Sequence, residues 1–432
     1  MEKYKNIAEY VLNLAKSRGA DKAQCTVSEA EMREFNVEGN EFSLFRTLYS
    51  RSVGLTLFKD NKKGSISMNS FDESELISAV DNCITSAESS SPDTDWEISS
   101  GIGERDFVLG DLEPDTEKLF FRAEELLNDI KTRHSLIIIE QMMVYHVSRK
   151  RVYMNTEGNT YTVKSGAYSA DLMYSAHEGE KSTSFYGSDV AVYDLDKPFI
   201  ECAMIERELT DIENQLDVKP MTGKFTGTVI FTPACLAGTV FGNICRNFAS
   251  DSALLEGTSL WKDSLGKRVA DSRINVSFKP HDERIVCGER YTGEGFLSED
   301  FSFIKDGVLQ SFLISQYVAN KTGNKRAPSH SGMIIESGET PIDEIIKNTE
   351  KGVLIGRFSG GSPGANGEFS GVAKNGFLIE NGRIVSALSE TMISGNLADM
   401  LNNLIDISKE TLIDGGVVAP YMAFGGITVS GK

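Results

Sequence analysis

The sequence predicts an α+β protein, with an N-terminal α+β domain in which helices flank an antiparallel sheet and a C-terminal β-rich domain with a few helices. Three observations lead there. At 432 residues the chain exceeds the size at which a single hydrophobic core stops growing, so two domains are expected. Its first half repeats a helix–strands–helix pattern, which argues against the single alternation of strand and helix that a parallel sheet needs. Of its 39 glycines, 11 fall in residues 1–220 and 28 in 221–432. That density marks tight turns between many short strands. The composition shift near Val218-Lys219-Pro220 divides the chain into domains 1–220 and 221–432.

Element by element, Lys3 to Lys16 carries Ile7, Val11 and Leu14 on one helical stripe, with Gly19 as its C-terminal stop. Strands follow at Ala23–Val37 and Phe42–Tyr49. A hairpin pairs Ser52–Phe58 with Ser65–Met68 around a turn ending at Gly64. Asp72 and Glu75 have capping-box spacing and open a helix to about Ala87. After the polar loop Ser89–Asp95 the pattern repeats. A helix spans Thr116–Lys131, strands span Leu136–Ser148, Arg151–Met154, Thr160–Ser169 and Ser182–Val192, and a helix spans Phe199–Leu216. In the second domain, strands are expected at Thr228–Phe231, Ile274–Phe278, Val353–Phe358, Gly376–Glu380 and Arg383–Leu388. Asn381-Gly382 supplies a type I′ turn between the last two. Helices are expected at Pro233–Phe248 and Asn396–Ile407.

Composition removes several function classes. The formal charge of -19 repels phosphate backbones, so no direct nucleic-acid binding is expected. The basic clusters Arg149-Lys150-Arg151 and Lys59–Lys63 read as solvated turns. No run of eighteen apolar residues exists to span a membrane. The N-terminus leads into an amphipathic helix rather than an apolar leader, and the six cysteines are scattered without a C-x-x-C pair. A reducing, cytoplasmic setting follows.

Local catalytic motifs are missing. A helical zinc site needs paired histidines, yet His134, His146, His177, His281 and His330 are all far apart. His177-Glu178 runs into a turn, and His281-Asp282-Glu283 reads as a polar loop. His330 lies in a Ser/Gly loop that could border a cleft. The loop Gly360–Gly367 has neither the G-x-S-x-G spacing of a hydrolase elbow nor the Gly-Lys ending of a phosphate cradle. It reads as a long connection bordering a groove, which makes Ser362 and Asn366 groove candidates together with His330.

The C-terminal half nevertheless resembles the TldD/PmbA family. The resemblance rests on Asn375–Val385 and Thr391–Leu401, on Gly257-Thr258-Ser259 and Asp263–Lys267, and on Glu294-Gly295 with Ile304–Leu309. These proteins were named modulators of DNA gyrase. The resemblance implies cytosolic proteolysis of unfolded or small peptides by a TldD–TldE (PmbA) pair. The TldD-type member carries zinc on H-E-x-x-x-H and a C-terminal cysteine. Counting back from Gly257 puts that motif on Gly242–Asn247, and the cysteine falls at or near Asp414. With Gly242, Asn243, Asn247 and Asp414 at these positions, the implied role is a non-catalytic PmbA/TldE-like subunit. It would hold no cofactor of its own, and its partner would be a TldD-type zinc subunit. Self-association stays open. The alternatives are a stand-alone metallopeptidase using His281, His330 and Cys287, or a non-proteolytic regulator of DNA gyrase.

Overall fold

Two sheets share the chain. The structure, a computed structural model, describes residues 1–361, 363–389 and 391–431. The first half runs α1 (Glu2–Ser17), β1 (Lys22–Glu38), β2 (Glu41–Lys59), β3 (Lys62–Met68) and α2 (Glu73–Ser89). It continues through β4 (Glu104–Leu109), α3 (Thr116–Arg133), β5 (Ile137–Asn155), β6 (Thr160–Glu178), β7 (Lys181–Ser182), β8 (Tyr186–Val192) and α4 (Ile205–Glu213). Both helix–strands–helix blocks feed one eight-stranded sheet, ordered β3-β2-β1-β5-β6-β4, with β7 and β8 also pairing β6. All pairs are antiparallel except β4 with β6, and β4 is a strand the sequence pattern did not announce.

Alternation along the strands gives this sheet two different faces. Val27, Val53, Leu55 and Val152 turn toward α1 and α2 and are buried there. Val37, Met142, Val144 and Leu172 turn toward α3 and α4. The intervening residues, including Ala30 and Met32 of β1, Val147, Arg149, Arg151 and Tyr153 of β5, and Ser165 of β6, point away from the helices.

The second half supplies β9 (Val218–Pro220), β10 (Lys224–Phe231), β11 (Val276–Phe278), β12 (Phe301–Lys305), β13 (Val308–Leu309) and β14 (Met333–Ile335). After these come β15 (Lys351–Ser359), β16 (Glu368–Glu380), β17 (Arg383–Ser389), β18 (Thr391–Asn396), β19 (Leu404–Ile413) and β20 (Val417–Ser430). Because β18 pairs with both β16 and β20, the strands β20, β10, β15, β16 and β18 close into a ring. Closure leaves no edge along that ring. The helical run Pro233–Ala249 packs Leu236, Phe241, Ile244 and Phe248 into the main core of this half.

Several expectations need correction. β2 is one continuous strand rather than two. Its turn into β3 uses Asp60 and Asn61, both at positive φ, and not Gly64. Gly64 lies inside β3, where a Cβ would come within 2.2 Å of the Cys83 carbonyl. The Asp72 capping box does not form, because the Asp72 carboxylate accepts from Ser70 instead. Arg149-Lys150-Arg151 is not a turn, since β5 runs through it in register with both neighbours. The helix expected over Phe199–Leu216 is broken by Ala203 at φ 51, leaving a short turn of 3-10 helix before α4. The expected helix from Asn396 stops at Asn402, and β19 starts at Leu404, because pairing with β20 captures the chain there. Asn381-Gly382 does form its turn, with φ 50 and 73. Among the described residues no helix is long and apolar enough to cross a membrane.

Candidate functional site

The helical run Pro233–Ala249 begins directly after β10, with Pro233 at its first position, where a missing N–H costs nothing. Its winding is unusual: Leu236–Phe241 and Cys245–Ala249 are π-helical, separated by one α-turn at Gly242–Ile244. Such widened turns recur at functional sites. Gly242, Asn243 and Asn247 are half-buried on the side away from the core, next to exposed Arg246. Positions five apart diverge by about 140° on a regular α-helix. The π-winding, with its i→i+5 bonding, narrows that angle between 242 and 247.

Three contacts fix this surface. Asn243 Nδ2 donates to the Thr239 carbonyl at 2.6 Å, closing on its own helix. Asn247 Nδ2 donates to the Pro363 carbonyl at 3.0 Å and so ties the helix to the glycine-rich loop. That loop is pinned in turn by Asn396 Nδ2, which donates to the Asn366 carbonyl at 2.8 Å. Below it, Thr239, Val240, Phe358, Pro363, Phe369 and Leu397 line an apolar crevice. Asn366 belongs to the glycine-rich loop but does not line the crevice, and Ser362 lies outside the described residues.

The remaining candidates are elsewhere. Asp414 caps the β19–β20 turn, its Oδ1 accepting from the N–H groups of Gly416 and Val417, both at 2.7 Å. Its own carbonyl accepts from Ala191 of β8 at 2.7 Å. Burial raises the Asp414 pKa, and the two backbone donors oppose that shift. None of these partners belongs to the Gly242–Asn247 segment. His330 is exposed in its loop, and His281 stands 3.9 Å from Asp300. Cys287 is exposed, with its N–H donating to the Tyr193 hydroxyl. His134 and His146 are internal, bonded to Glu213 and to the Asp111 carbonyl. No group of three or more His, Cys, Asp or Glu side chains able to hold a metal ion occurs among the described residues. Zinc does not fit the donor set at 242–247, because glycine offers no ligand atom and the two asparagines offer only neutral amide oxygens in place of the imidazole, thiolate or carboxylate donors zinc takes.

One constellation was not legible in the sequence. Between α4 and the second sheet a cavity is lined by Tyr186, Glu208, Asp211, Gln215, Asn375 and Tyr421. Burial pushes Glu208 up to about 7, against hydrogen bonds from Ser188 and Tyr186 that favour its charged form. Burial pushes Asp211 up to about 6, against Arg207. Glu208 and Asp211 read as the solvated face of an amphipathic helix, and only docking against the second sheet buries them.

The chain matches the PmbA/TldA metallopeptidase C-terminal domain over residues 222–431. It is 24% identical over 425 residues to the metalloprotease PmbA of Escherichia coli, covering 92% of this chain and 88% of that one. It is 22% identical over 324 residues to a zinc metalloprotease TldD homolog of Saccharolobus solfataricus, covering 69% and 70%. In fold it is similar to TldE from Thermococcus kodakarensis, with a TM-score of 0.84 at 19% identity over 98% of this chain and 100% of that one. A Bacteroides thetaiotaomicron protein named for modulation of DNA gyrase superposes with a TM-score of 0.86 at 21% identity, covering 100% of both chains. Residues 222–431 thus carry the C-terminal domain of the PmbA/TldD metallopeptidase family, and over nearly its full length the chain is similar to proteins named PmbA and TldE.

Proposed function

We propose that this chain is the non-catalytic, PmbA/TldE-type subunit of a cytoplasmic peptidase whose zinc is carried by a TldD-type partner, acting on unfolded or small peptides. The observation that supports the reading is the donor set on the helix: Gly242, Asn243 and Asn247 are the residues that the family resemblance matches to two histidines and a glutamate of zinc-bearing members. A hydrolytic zinc site needs three protein ligands with one position left for water. Asp414, the position matched to the third ligand, is occupied with its own turn. The stand-alone reading has less support, since His281, His330 and Cys287 form no ligand group among the described residues. A cytoplasmic setting fits the six free cysteines.

The test is reconstitution. Each subunit is purified alone, and peptide hydrolysis is compared for the chain, for a TldD-type subunit and for their mixture. The mixture is expected to cleave well above either component. Cleavage by this chain alone, or a mixture no more active than the zinc subunit, rejects the proposal.

A further inference from the structure

Arg149, Arg151 and Arg290 converge where the helix-free face of the first sheet meets the segment Cys287–Gly295. Arg149 and Arg151 alternate onto that face with Tyr153, opposite Ser165, Val163 and Tyr161 of β6. Tyr291 closes the far side, with its ring 5.1 Å from that of Tyr153 and 5.3 Å from that of Tyr161. Arg290 is held by donating to the Pro280 carbonyl at 2.7 Å. Their charges reach shared neighbours: Arg149 and Arg290 both favour the Cys287 thiolate, and Arg151 favours the Tyr291 phenolate, each against a larger opposing effect of burial.

Two features make this cluster more than a solvated basic patch. Among the described residues none of the three arginines makes an ion pair, in a chain with 63 acidic residues against 44 basic ones. In addition, Arg151 Nε and Tyr291 Oη lie beside each other, both buried and neither in a well-formed hydrogen bond. Buried donors are almost always satisfied, and adjacent desolvated cations repel each other unless an anion neutralises them. Arg149 is exposed at the mouth of the cluster, while Arg151 and Arg290 are half-buried behind it. Burial lowers the pKa of Arg290, and the neighbouring Arg151 contributes to lowering that of Arg149.

We propose that this cluster binds the terminal carboxylate of an extended peptide laid along the open sheet face. A planar carboxylate matches the guanidinium fork, which can hold both oxygens at once. Next to the arginines the same face presents half-buried Ala30, Met32, Val147 and Ala167, an apolar track suited to peptide side chains and not to a free phosphate. Farther along, Asp171 and Asp189 stand directly opposite each other on β6 and β8. Asp171 is six residues beyond Ser165, about 20 Å at the rise of a strand. A peptide of roughly six extended residues would thus span from the arginines at its carboxylate to the aspartates at its amine. This inference rests on the subunit reading only in taking a peptide as ligand. Its test uses the chain alone, so its failure leaves that reading standing.

The experiment is calorimetric titration of the full chain with the hexapeptide Ala-Val-Met-Ala-Val-Ala, as free acid and as C-terminal amide, with inorganic phosphate as a third probe. The free acid is expected to bind about tenfold or more tightly than the amide, as the loss of a charge-assisted bidentate contact implies. Arg149→Gln and Arg151→Gln should each bring the acid down toward the amide while the melting temperature reports an intact fold. Equal affinity for acid and amide in the unmodified chain, or no binding of the acid, overturns the proposal without any variant. A preference for the acid that survives both substitutions also overturns it. So does binding of phosphate without binding of the peptide, which would make the cluster an anion site with no peptide track.

Discussion

The side-chain amide of Asn247 donates to the carbonyl of Pro363 at 3.0 Å, so the helical run after β10 is tethered to the glycine-rich loop. Breaking the tether should be measurable. Asn247→Ala is expected to cost about 1 kcal/mol, the net worth of a typical hydrogen bond, and to leave zinc content unchanged. A shift in urea midpoint at constant slope checks it; no shift would mean the tether is idle.

Purified chain should contain no stoichiometric zinc, because Gly242, Asn243 and Asn247 supply no ligand set. Elemental analysis is the measurement. About one zinc per chain would refute the proposed assignment of the metal to the partner.

Restoring the motif should recover metal but not hydrolysis. A Cβ at position 242 meets only the Ala237 carbonyl, at 3.5 Å, so a side chain can start there without a clash. Gly242→His combined with Asn243→Glu and Asn247→His should bind zinc weakly. Missing outer-shell groups alone typically cost about 10–100-fold in affinity or activity, and Asp414 stays engaged with Gly416 and Val417. Zinc titration and peptide hydrolysis on the triple variant separate the two effects. Robust hydrolysis by that variant alone would count against the role proposed here.

Stability should fall as pH rises from about 4.5 to 7. Glu208 is raised to about 7 and Asp211 to about 6, both by burial. The folded chain therefore holds protons that the unfolded chain has released, and the stabilisation is fully present below the unfolded carboxylate range. It is lost as pH climbs through the folded values. For Glu208 the upper limit is roughly 3 kcal/mol, at 1.36 kcal/mol per pKa unit. Glu208→Gln keeps an acceptor for the Tyr186 hydroxyl and should be more stable than the unmodified chain at pH 8. Urea unfolding from pH 5 to 8 for both proteins would show the slope shrinking in the variant; parallel curves would show that Glu208 is not buried as described.

Duplex DNA should not bind measurably at physiological salt. With a formal charge of -19 the chain repels the phosphate backbone, and no basic stripe offsets that repulsion. A steep salt-dependent affinity in a titration would contradict this.

Short-range signals were readable in advance because their causes are local. Asn381-Gly382 makes its turn wherever it occurs, since both residues tolerate positive φ. The stripe Val11 with Leu14, the β1 strand and the α3 helix were likewise set by periodicity within one segment. That Gly242, Asn243 and Asn247 carry no imidazole or carboxylate could also be read directly.

What sequence could not show depends on partners far along the chain. It split β2 and β5, because polar residues such as Arg149 and Lys150 look like turn residues until strands on both sides claim their backbone hydrogen bonds. It extended the helix at Asn396, since nothing local records that β20 lies alongside the chain from Leu404 onward. Glu208, Asp211 and the three arginines are ordinary charged residues in the sequence; docking of the two halves buries the first pair and leaves Arg151 Nε without a well-formed hydrogen bond. The sequence by itself determined the resemblance of the C-terminal half to its family and many of the local elements. Only the tertiary structure decided which charges lose water, because desolvation is a property of neighbours and not of residues.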